Sequence, residues 1–392
     1  MPQFFATAPK GTEVALRDEL RALRFRGIRA DRGGVHFEGG IDDGYRACLE
    51  LRCAVRVLVE VTRYAAPSEQ ALYDGARDVP WERWIAPHTT LAVRASCRSS
   101  RLTHSQFIAQ KTKDAIVDRQ RDGLGGRSSV DRDDPDALVS VHLVRDEATL
   151  YLDLSGRALH LRGYRTDVLE APLKETLAAA LLRLAGYSGE GALVDPMCGS
   201  GTIAIEAALI AADVAPGLGF GARGSEARGA AGPGAGRFGF ERWASFDATE
   251  QAAWRTLRER AEARKRPIQA TIVARDVSGE ALAATKANAA RAGVSIAIER
   301  ASVTTLKDTD LLGVRPSYVV TNPPYGERLD LPPEIERAMG RALAGLSSAT
   351  IGVLAGGPAL LDAVPRRPSR LVPIMNGDLE CRFAVYEPPA GA

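Results

Sequence analysis

At 392 residues, with 45% hydrophobic and 26% charged side chains and a formal net charge of +2, the chain reads as a globular protein of two or three domains. The near-neutral balance announces no polyanion partner. The five scattered cysteines (Cys48, Cys53, Cys97, Cys198, Cys381) form no CxxC pair and the five histidines show no ligand spacing, so no disulfide framework and no metal are expected. No apolar run approaches the ~18 residues of a membrane helix and the N-terminus has no basic-then-apolar leader, so a cytoplasmic location is expected.

Residues 3–64 read as strand, helix, strand, strand, helix, strand. Phe4-Phe-Ala-Thr7 opens the series, and Val14, Leu16, Leu20 and Leu23 fall near helical spacing over 11–23. Strands at 28–30 and 35–37 flank the turn Asp31-Arg-Gly-Gly34, a helix follows near 41–51, and 55–61 is a further strand. This is the order of a ferredoxin-like unit. In residues 66–155 a helix near 67–77 leads to Pro80-Trp-Glu-Arg-Trp84, and 91–96 alternates as a strand. Ser105 is placed to cap a helix running to about Arg121, 122–136 reads as a loop, and 137–144 with 148–154 makes a hairpin. Between 91 and 127 eight Lys/Arg face three Asp. That is either a solvated helical face or an RNA-facing surface.

From 156 on, helix and strand alternate. A Leu/Ala-rich helix spans 174–185, a buried strand 192–195 runs into Pro196-Met-Cys-Gly-Ser-Gly-Thr202, and a nearly all-apolar helix covers 202–212. Strand, Gly-rich turn and apolar helix open a doubly wound sheet. Residues 217–239 hold nine glycines in 23 positions and read as a low-complexity insertion. A helix near 250–264, strand 270–274 with Asp276 past its end, helix 279–291, and strands 295–298 and 317–321 continue the alternation. Strand 350–354 and a hairpin of 370–375 with 381–386 around Asn376-Gly377 close it. A mostly parallel sheet with an antiparallel C-terminal hairpin is expected. The four tryptophans read as packing residues.

Two strand ends carry the chemistry. Asp195-Pro-Met-Cys-Gly-Ser-Gly-Thr202 lacks the Lys of a P-loop, so triphosphate binding is disfavoured. Gly199 and Gly201 let a ligand approach the backbone. An anionic Asp195 repels phosphate and attracts an ammonium or sulfonium, and Asp276 is placed to accept hydrogen bonds from a ribose diol. A cationic nucleoside without phosphates, S-adenosylmethionine, satisfies both. At the other end, Asn322-Pro-Pro-Tyr325 closes an apolar strand with an amide oxygen, a free carbonyl and an aromatic plate. The two prolines hold the chain extended. That set suits an exocyclic amine on a planar base. Cys198 reads as a packing residue, because neither motif holds a base to activate it.

These two motifs resemble those of class I amino-methyltransferases. With Leu161-Arg-Gly-Tyr-Arg165, Ala171-Pro-Leu-Lys-Glu175, Asn322-Pro-Pro-Tyr-Gly-Glu-Arg-Leu329 and Asn376-Gly-Asp-Leu-Glu-Cys381, the chain resembles the THUMP-domain guanine-N2 RNA methyltransferases over nearly its whole length. The resemblance implies a ferredoxin-like domain over 1–65, a THUMP RNA-binding domain over 66–155 and a Rossmann-like class I methyltransferase domain over 156–392. It implies methylation of guanosine N2 in structured RNA, 23S ribosomal RNA first and transfer RNA as runner-up. Asn322, Pro323, Pro324 and Tyr325 take the catalytic place, Asn322 and the Pro323 carbonyl accepting from the guanine amine and Tyr325 stacking on the base. Asp195, Pro196, Cys198, Gly199, Ser200, Gly201, Thr202, Asp276, Ser302 and Asn322 line the cofactor, with residues 161–174 walling its methionine end. Arg98, Arg101, Lys111, Lys113, Tyr325 and Arg328 meet the RNA, and Glu327 with Arg328 shapes the pocket wall or pairs structurally. Where the family pattern places an acidic residue for the adenine amine, this chain offers Ser302, or Glu299 in a shifted register. DNA is not an expected partner. A DNA adenine-N6 methyltransferase and a non-catalytic RNA-binding protein are the competing readings.

Overall fold

The computed structural model describes residues 1–165, 173–219, 237–307, 315–325 and 332–388. The chain opens with β1 (Gln3–Thr7), α1 (Glu13–Ala22), β2 (Arg26–Asp31), β3 (Gly34–Glu38), α2 (Ile41–Glu50) and β4 (Arg56–Ala65), the expected βαββαβ order. It continues with α3 (Glu69–Arg77), a 3-10 turn Trp81–Arg83, β5 (Thr90–Arg98), α4 (Ser105–Leu124), β6 (Ser129–Val130), β7 (Ala137–Val144) and β8 (Glu147–Asp153). All eight strands form one sheet in the order β2-β3-β1-β4-β8-β7-β5-β6. The joint is β4, longer than its hydrophobic pattern implies. Its first half pairs with β1 (Phe4 opposite Val59), and its length out to Ala65 pairs with β8, with a register shift between Glu60 and Thr62. Such an irregularity bends a strand locally and lets one strand serve two modules.

Two local expectations change here. The cap of α4 is His104, whose Nδ1 accepts from the Phe107 amide at 3.1 Å, and Ser105 is the first helical residue. The stretch 122–136 contains the short strand β6, parallel to β5, beyond the helix stop at Gly125 (φ +67°). Trp81, Trp243 and Trp254 are buried and Trp84 half-buried, all within the core.

The second half comprises α5 (Glu175–Leu184), β9 (Leu193–Asp195), α6 (Thr202–Ala211), α7 (Ala248–Ala263), β10 (Ile272–Asp276), α8 (Gly279–Ala292), β11 (Ala297–Arg300), β12 (Tyr318–Thr321), α9 (Pro333–Ala344), β13 (Thr350–Ala355), α10 (Pro358–Ala363), β14 (Arg370–Asn376) and β15 (Leu379–Tyr386). The seven strands run β11-β10-β9-β12-β13-β15-β14, parallel through β13, with β15 and β14 antiparallel. Alternation along the strands sorts the core. Leu193, Ile272, Ala274 and Val320 pack with α5 and α6 residues in one cluster. Val194, Val273, Val319, Ile351 and Val353 pack with Met339 and Leu343 of α9 in another. Helix α9 is absent from the expected elements although its signals are complete: Pro333 at the first turn, Glu334 and Glu336 early, and Met339 and Leu343 four apart. Burying those two side chains contributes about 1.5–3 kcal/mol each.

The expected strand 295–298 sits two residues later, at Ala297–Arg300, and Asp276 is the last residue of β10 rather than the residue beyond it. No helix among the described residues is long and apolar enough to cross a membrane. The two halves are joined by buried polar contacts. Arg52, after α2, donates to the carbonyls of Val214 (2.8 Å) and Leu209 (3.3 Å), while Arg162 donates to the Arg52 carbonyl (2.7 Å). Glu19 of α1 accepts from the Arg52 and Cys53 amides, holding that loop in place.

Candidate active site

The chain runs β9, β10, β11 outward, then returns to lay β12 on the other side of β9. That reversal opens a crevice at the carboxyl ends of β9 and β12, where doubly wound sheets hold ligands. Asp195 ends β9 and Asn322 follows β12 directly, so the two motifs face one crevice although 127 residues separate them in sequence.

The Gly-rich turn after β9 is held from below. Cys198 donates its amide to the Arg275 carbonyl (2.9 Å), Thr285 of α8 donates to the Gly199 carbonyl (2.8 Å), and Asn288 donates to the Ser200 carbonyl (3.0 Å). Gly201 is left-handed (φ +85°), and a Cβ there would lie 2.7 Å from the Thr285 methyl group. Gly199 is also left-handed (φ +53°), but no atom stands within 4 Å of where its Cβ would be, so it faces open space. Of the expected cofactor residues, Pro196, Cys198, Ser200 and Thr202 are therefore buried supports, and half-buried Gly199 is the one with open space beside its backbone. The Cys198 thiol lies against the Thr285 hydroxyl, and burial pushes its pKa up, away from thiolate chemistry.

Asp276 accepts from the Gly199 amide through Oδ2 (3.0 Å) and from the Ser278 amide through Oδ1 (2.9 Å). It thus clamps the Gly-rich turn. A carboxylate has about four lone-pair sites, so both oxygens retain acceptor capacity toward the crevice. Asp195 is 1% exposed and accepts from the Met197 amide at 3.3 Å. Burial pushes its carboxyl up to about 7, and the nearby Asp276 charge adds to the rise. It is therefore not the permanently ionised anion that its sequence position implies; it titrates near neutrality.

Neither candidate for the adenine amine is free. Ser302 caps the 3-10 turn Val303–Thr305, accepting from the Thr304 amide at 3.2 Å. Glu299, on β11, is ion-paired at 3.1 Å with Arg275 of the neighbouring strand. Within 161–165, Leu161 and Gly163 are exposed while Arg162 and Tyr164 turn inward to the buried Glu206, and Arg165 pairs with Glu175, whose carboxyl burial pushes to about 7.

At the end of β12, Pro323 is buried and Asn322 half-buried. The Asn322 Oδ1 is itself shut off from solvent and has no hydrogen-bond partner among the described residues. A buried acceptor left unpaired costs about 1–3 kcal/mol, which a matching donor recovers. Tyr325 is fixed from two sides. Its phenol oxygen accepts from Asn376 Nδ2 at 2.7 Å, and its ring lies on Gly356, where a Cβ would stand 2.5 Å from Cδ2. Asn376, Gly356, Thr285 and Asn288 are site residues that sequence reasoning leaves without a role. Asn376 lies in plain view inside the Asn376–Cys381 motif; the others lie outside every motif.

The residues expected at the RNA are dispersed. Arg98 is exposed at the end of β5, Arg101 pairs with Asp146 (3.5 Å), Lys113 pairs with its neighbour Asp114, and Lys111 lies over the Tyr73 ring (5.4 Å). Glu327, Arg328 and most of the 217–239 insertion lie outside the described residues, as do 166–172 of the motif stretch ending at Glu175.

A ferredoxin-like unit and a THUMP module ahead of a Rossmann-like sheet with an Asn-Pro-Pro-Tyr edge define a class I methyltransferase of the THUMP-bearing kind. Family models match the chain in the same order: an RlmL ferredoxin-like domain over residues 3–58, a THUMP domain over 66–153 and an RMKL-like methyltransferase domain over 162–384. The chain belongs to the RMKL-like methyltransferase domain family. It is 40% identical, over 398 residues, to the ribosomal RNA large subunit methyltransferase K/L of Syntrophotalea carbinolica, covering 98% of this chain and 53% of the relative. The chain spans about half the length of the curated relatives it matches. Among solved structures, SMU.472 complexed with SAH superposes with a TM-score of 0.83 at 27% identity, covering 100% of this chain and 99% of that one. A chain from Listeria monocytogenes, described as a predicted N6-adenine-specific DNA methylase, gives 0.82 at 27% identity, covering 99% and 96%.

Proposed function

We propose that the chain transfers a methyl group from S-adenosylmethionine to the exocyclic N2 of a guanosine in structured RNA, 23S ribosomal RNA before transfer RNA, in the cytoplasm. Residues 1–65 and 66–155 present the RNA and 156–392 carry out the transfer. The observation that carries this reading is the buried Asn322 Oδ1, without a partner among the described residues, at the switch crevice that Asp195 also borders.

The donor set fits the cofactor: an open left-handed glycine, a buried carboxylate beside it, and a second carboxylate at the next strand end with acceptor capacity left. When bound, S-adenosylmethionine supplies an electrophilic methyl on a sulfonium. Asp195 faces its positive end, Gly199 lets it approach the backbone, and Asp276 takes the ribose hydroxyls. Asn322 Oδ1 and the Pro323 carbonyl accept the two N2 hydrogens of guanine. That holds the lone pair out of the ring's π-system and aimed at the methyl carbon. Transfer would exchange the carbon–sulfur bond for an N2–C bond, and the amine proton would pass to a carboxylate or to solvent. Tyr325, fixed at its phenol by Asn376, offers its free face to the unstacked base.

The same edge would grip adenine N6, the reading that the Listeria relative's description favours. The THUMP match and the relatives' naming as ribosomal RNA methyltransferases favour RNA. Incubating the purified chain and labelled cofactor with 23S ribosomal RNA, transfer RNA and duplex DNA, followed by nucleoside analysis, tests this. N2-methylguanosine in ribosomal RNA is expected; N6-methyladenine in DNA, or no methylated product, rejects the reading.

A further inference from the structure

Beside Gly356 the two halves of the molecule line a second cleft, about 650 Å³ in volume. That is within the ~300–1,000 Å³ of ordinary ligand sites. One wall is N-terminal: the loop after β1 with Lys10 and Gly11, Glu13 at the start of α1, and Arg32 in the β2–β3 turn. The other wall is the end of β13 with Gly356 and the hairpin of β14 and β15 with Cys381 and Arg382. Gly356 is also the residue on which the Tyr325 ring rests, so cleft and catalytic edge share a wall.

The cleft is built rather than incidental. The Met375 amide of β14 donates to the Lys10 carbonyl at 3.0 Å. Gly11 is left-handed (φ +94°), and a Cβ there would lie 2.0 Å from the Pro373 carbonyl oxygen, so only glycine permits this approach. Glu13 bridges the two N-terminal loops, accepting from the Gly11 amide (2.7 Å) and the Gly33 amide (3.0 Å). Its charge is engaged by backbone donors. Lys10, Arg32 and Arg382 are exposed and, among the described residues, have no ion-pair partner; Glu13 and Glu380 are the two acids on the same cleft, so the three cations leave it with a net positive charge. In the basic stretch 91–127, Arg101 pairs with Asp146, Lys113 with Asp114, Arg119 with Glu82 and Arg121 with Asp118, whereas Arg94 and Arg98 are exposed and, among the described residues, without an ion pair.

We infer that this cleft seats the single-stranded RNA flanking the target guanosine, with Lys10, Arg32 and Arg382 holding its phosphates, so that the ferredoxin-like domain takes a direct part in the substrate site. The inference rests on the RNA reading above. Three unpaired cations beside an unstacking aromatic edge match a polyanion whose base has been drawn out.

The test replaces Lys10, Arg32 and Arg382 by Ala, singly and together, in the 392-residue chain and measures methyl transfer to transcribed 23S ribosomal RNA across a salt series. Expected for the triple variant are a KM roughly tenfold higher, each exposed pair contributing a few-fold, a kcat within about twofold, and unchanged cofactor affinity. The plot of log KM against log salt becomes shallower by about 0.7 for each phosphate no longer neutralised. Lys10→Arg, Arg32→Lys and Arg382→Lys retain the parent values, which a purely structural role would not ensure. A parent-like KM and salt slope in the triple variant, or a fall in kcat at constant KM, overturns the inference while leaving the methyltransferase reading intact. A parent chain that places no N2-methylguanosine in RNA overturns both.

Discussion

The two strand ends that flank the crevice are built on opposite plans. At the end of β9 the protein satisfies itself: Cys198, Gly199 and Ser200 are tied by backbone and side-chain hydrogen bonds to β10 and α8, and Asp276 clamps the turn. At the end of β12 an amide oxygen is buried and, among the described residues, left without a partner. The first is a pre-formed cradle whose shape a cofactor completes. The second withholds a hydrogen bond until a base supplies the donor, so its stabilisation appears only with the reacting group in place. The difference assigns rigidity to the cofactor side and reaction-linked binding to the substrate side.

Breaking the open end has the largest expected effect. Asn322→Ala removes the acceptor and should lower kcat on the order of 10²–10³-fold, the range for deleting one preorganised polar group. Cofactor affinity measured by calorimetry should stay within a few-fold; a cofactor-binding loss as large as the rate loss would erase the distinction between the two ends. Next is Gly356→Ala. Its backbone is not left-handed, so the new methyl meets chiefly the Tyr325 ring, at 2.5 Å, and must displace it. A shift of about 1 Å at a reacting centre costs about 10²-fold, so kcat should fall by that order, with the melting temperature lowered by an overpacking cost of about 1–3 kcal/mol. Asn376→Ala leaves the ring in place but frees the phenol, and a loss of roughly tenfold is expected, one hydrogen bond's worth. Parent-like kcat in both variants would mean that the position of Tyr325 does not matter.

How much of this is legible in the sequence varies with the range of the interaction. The strands and most helices follow from local periodicity, and both chemical motifs are contiguous runs, so the Gly-rich turn and Asn322–Tyr325 stand out. The supports of the site are not contiguous. Thr285 and Asn288 reach the turn from a helix more than eighty residues on, and Gly356 matters only because Tyr325 folds onto it. The displacement of β11 by two residues has a similar origin: Glu299 looks like a polar stop after an apolar run but is retained in the strand by its ion pair with Arg275. The basic stretch at 91–127 is answered in part from elsewhere in the chain, while Arg94 and Arg98 stay exposed. Its charges are conspicuous in sequence, yet Asp146 and Glu82, far along the chain or on another element, neutralise Arg101 and Arg119. The unpaired cations of the cleft are scattered singly at 10, 32 and 382, where no window reveals them.

The smallest effect on kcat concerns the closed end, where a change acts on cofactor binding: Asp195 titrates near 7 because burial penalises its charged form. A folded-state value raised above the ordinary 3.8 means that the native protein holds a proton the unfolded chain has released. This contribution to stability is fully present below about pH 4 and is lost as pH rises through 7. Binding runs the other way, because a cation at this carboxyl requires it ionised. Cofactor affinity should therefore rise with pH by up to about tenfold per unit between pH 5 and 7, then level off. Asp195→Asn keeps the shape and removes the charge. It should flatten that profile, weaken binding at pH 8, and raise the melting temperature there relative to the parent. Calorimetric titrations at pH 5.5, 6.5 and 8, paired with thermal melts, read both halves. A variant that keeps the parent's pH profile would place the titrating group elsewhere and leave the cradle to act by shape alone.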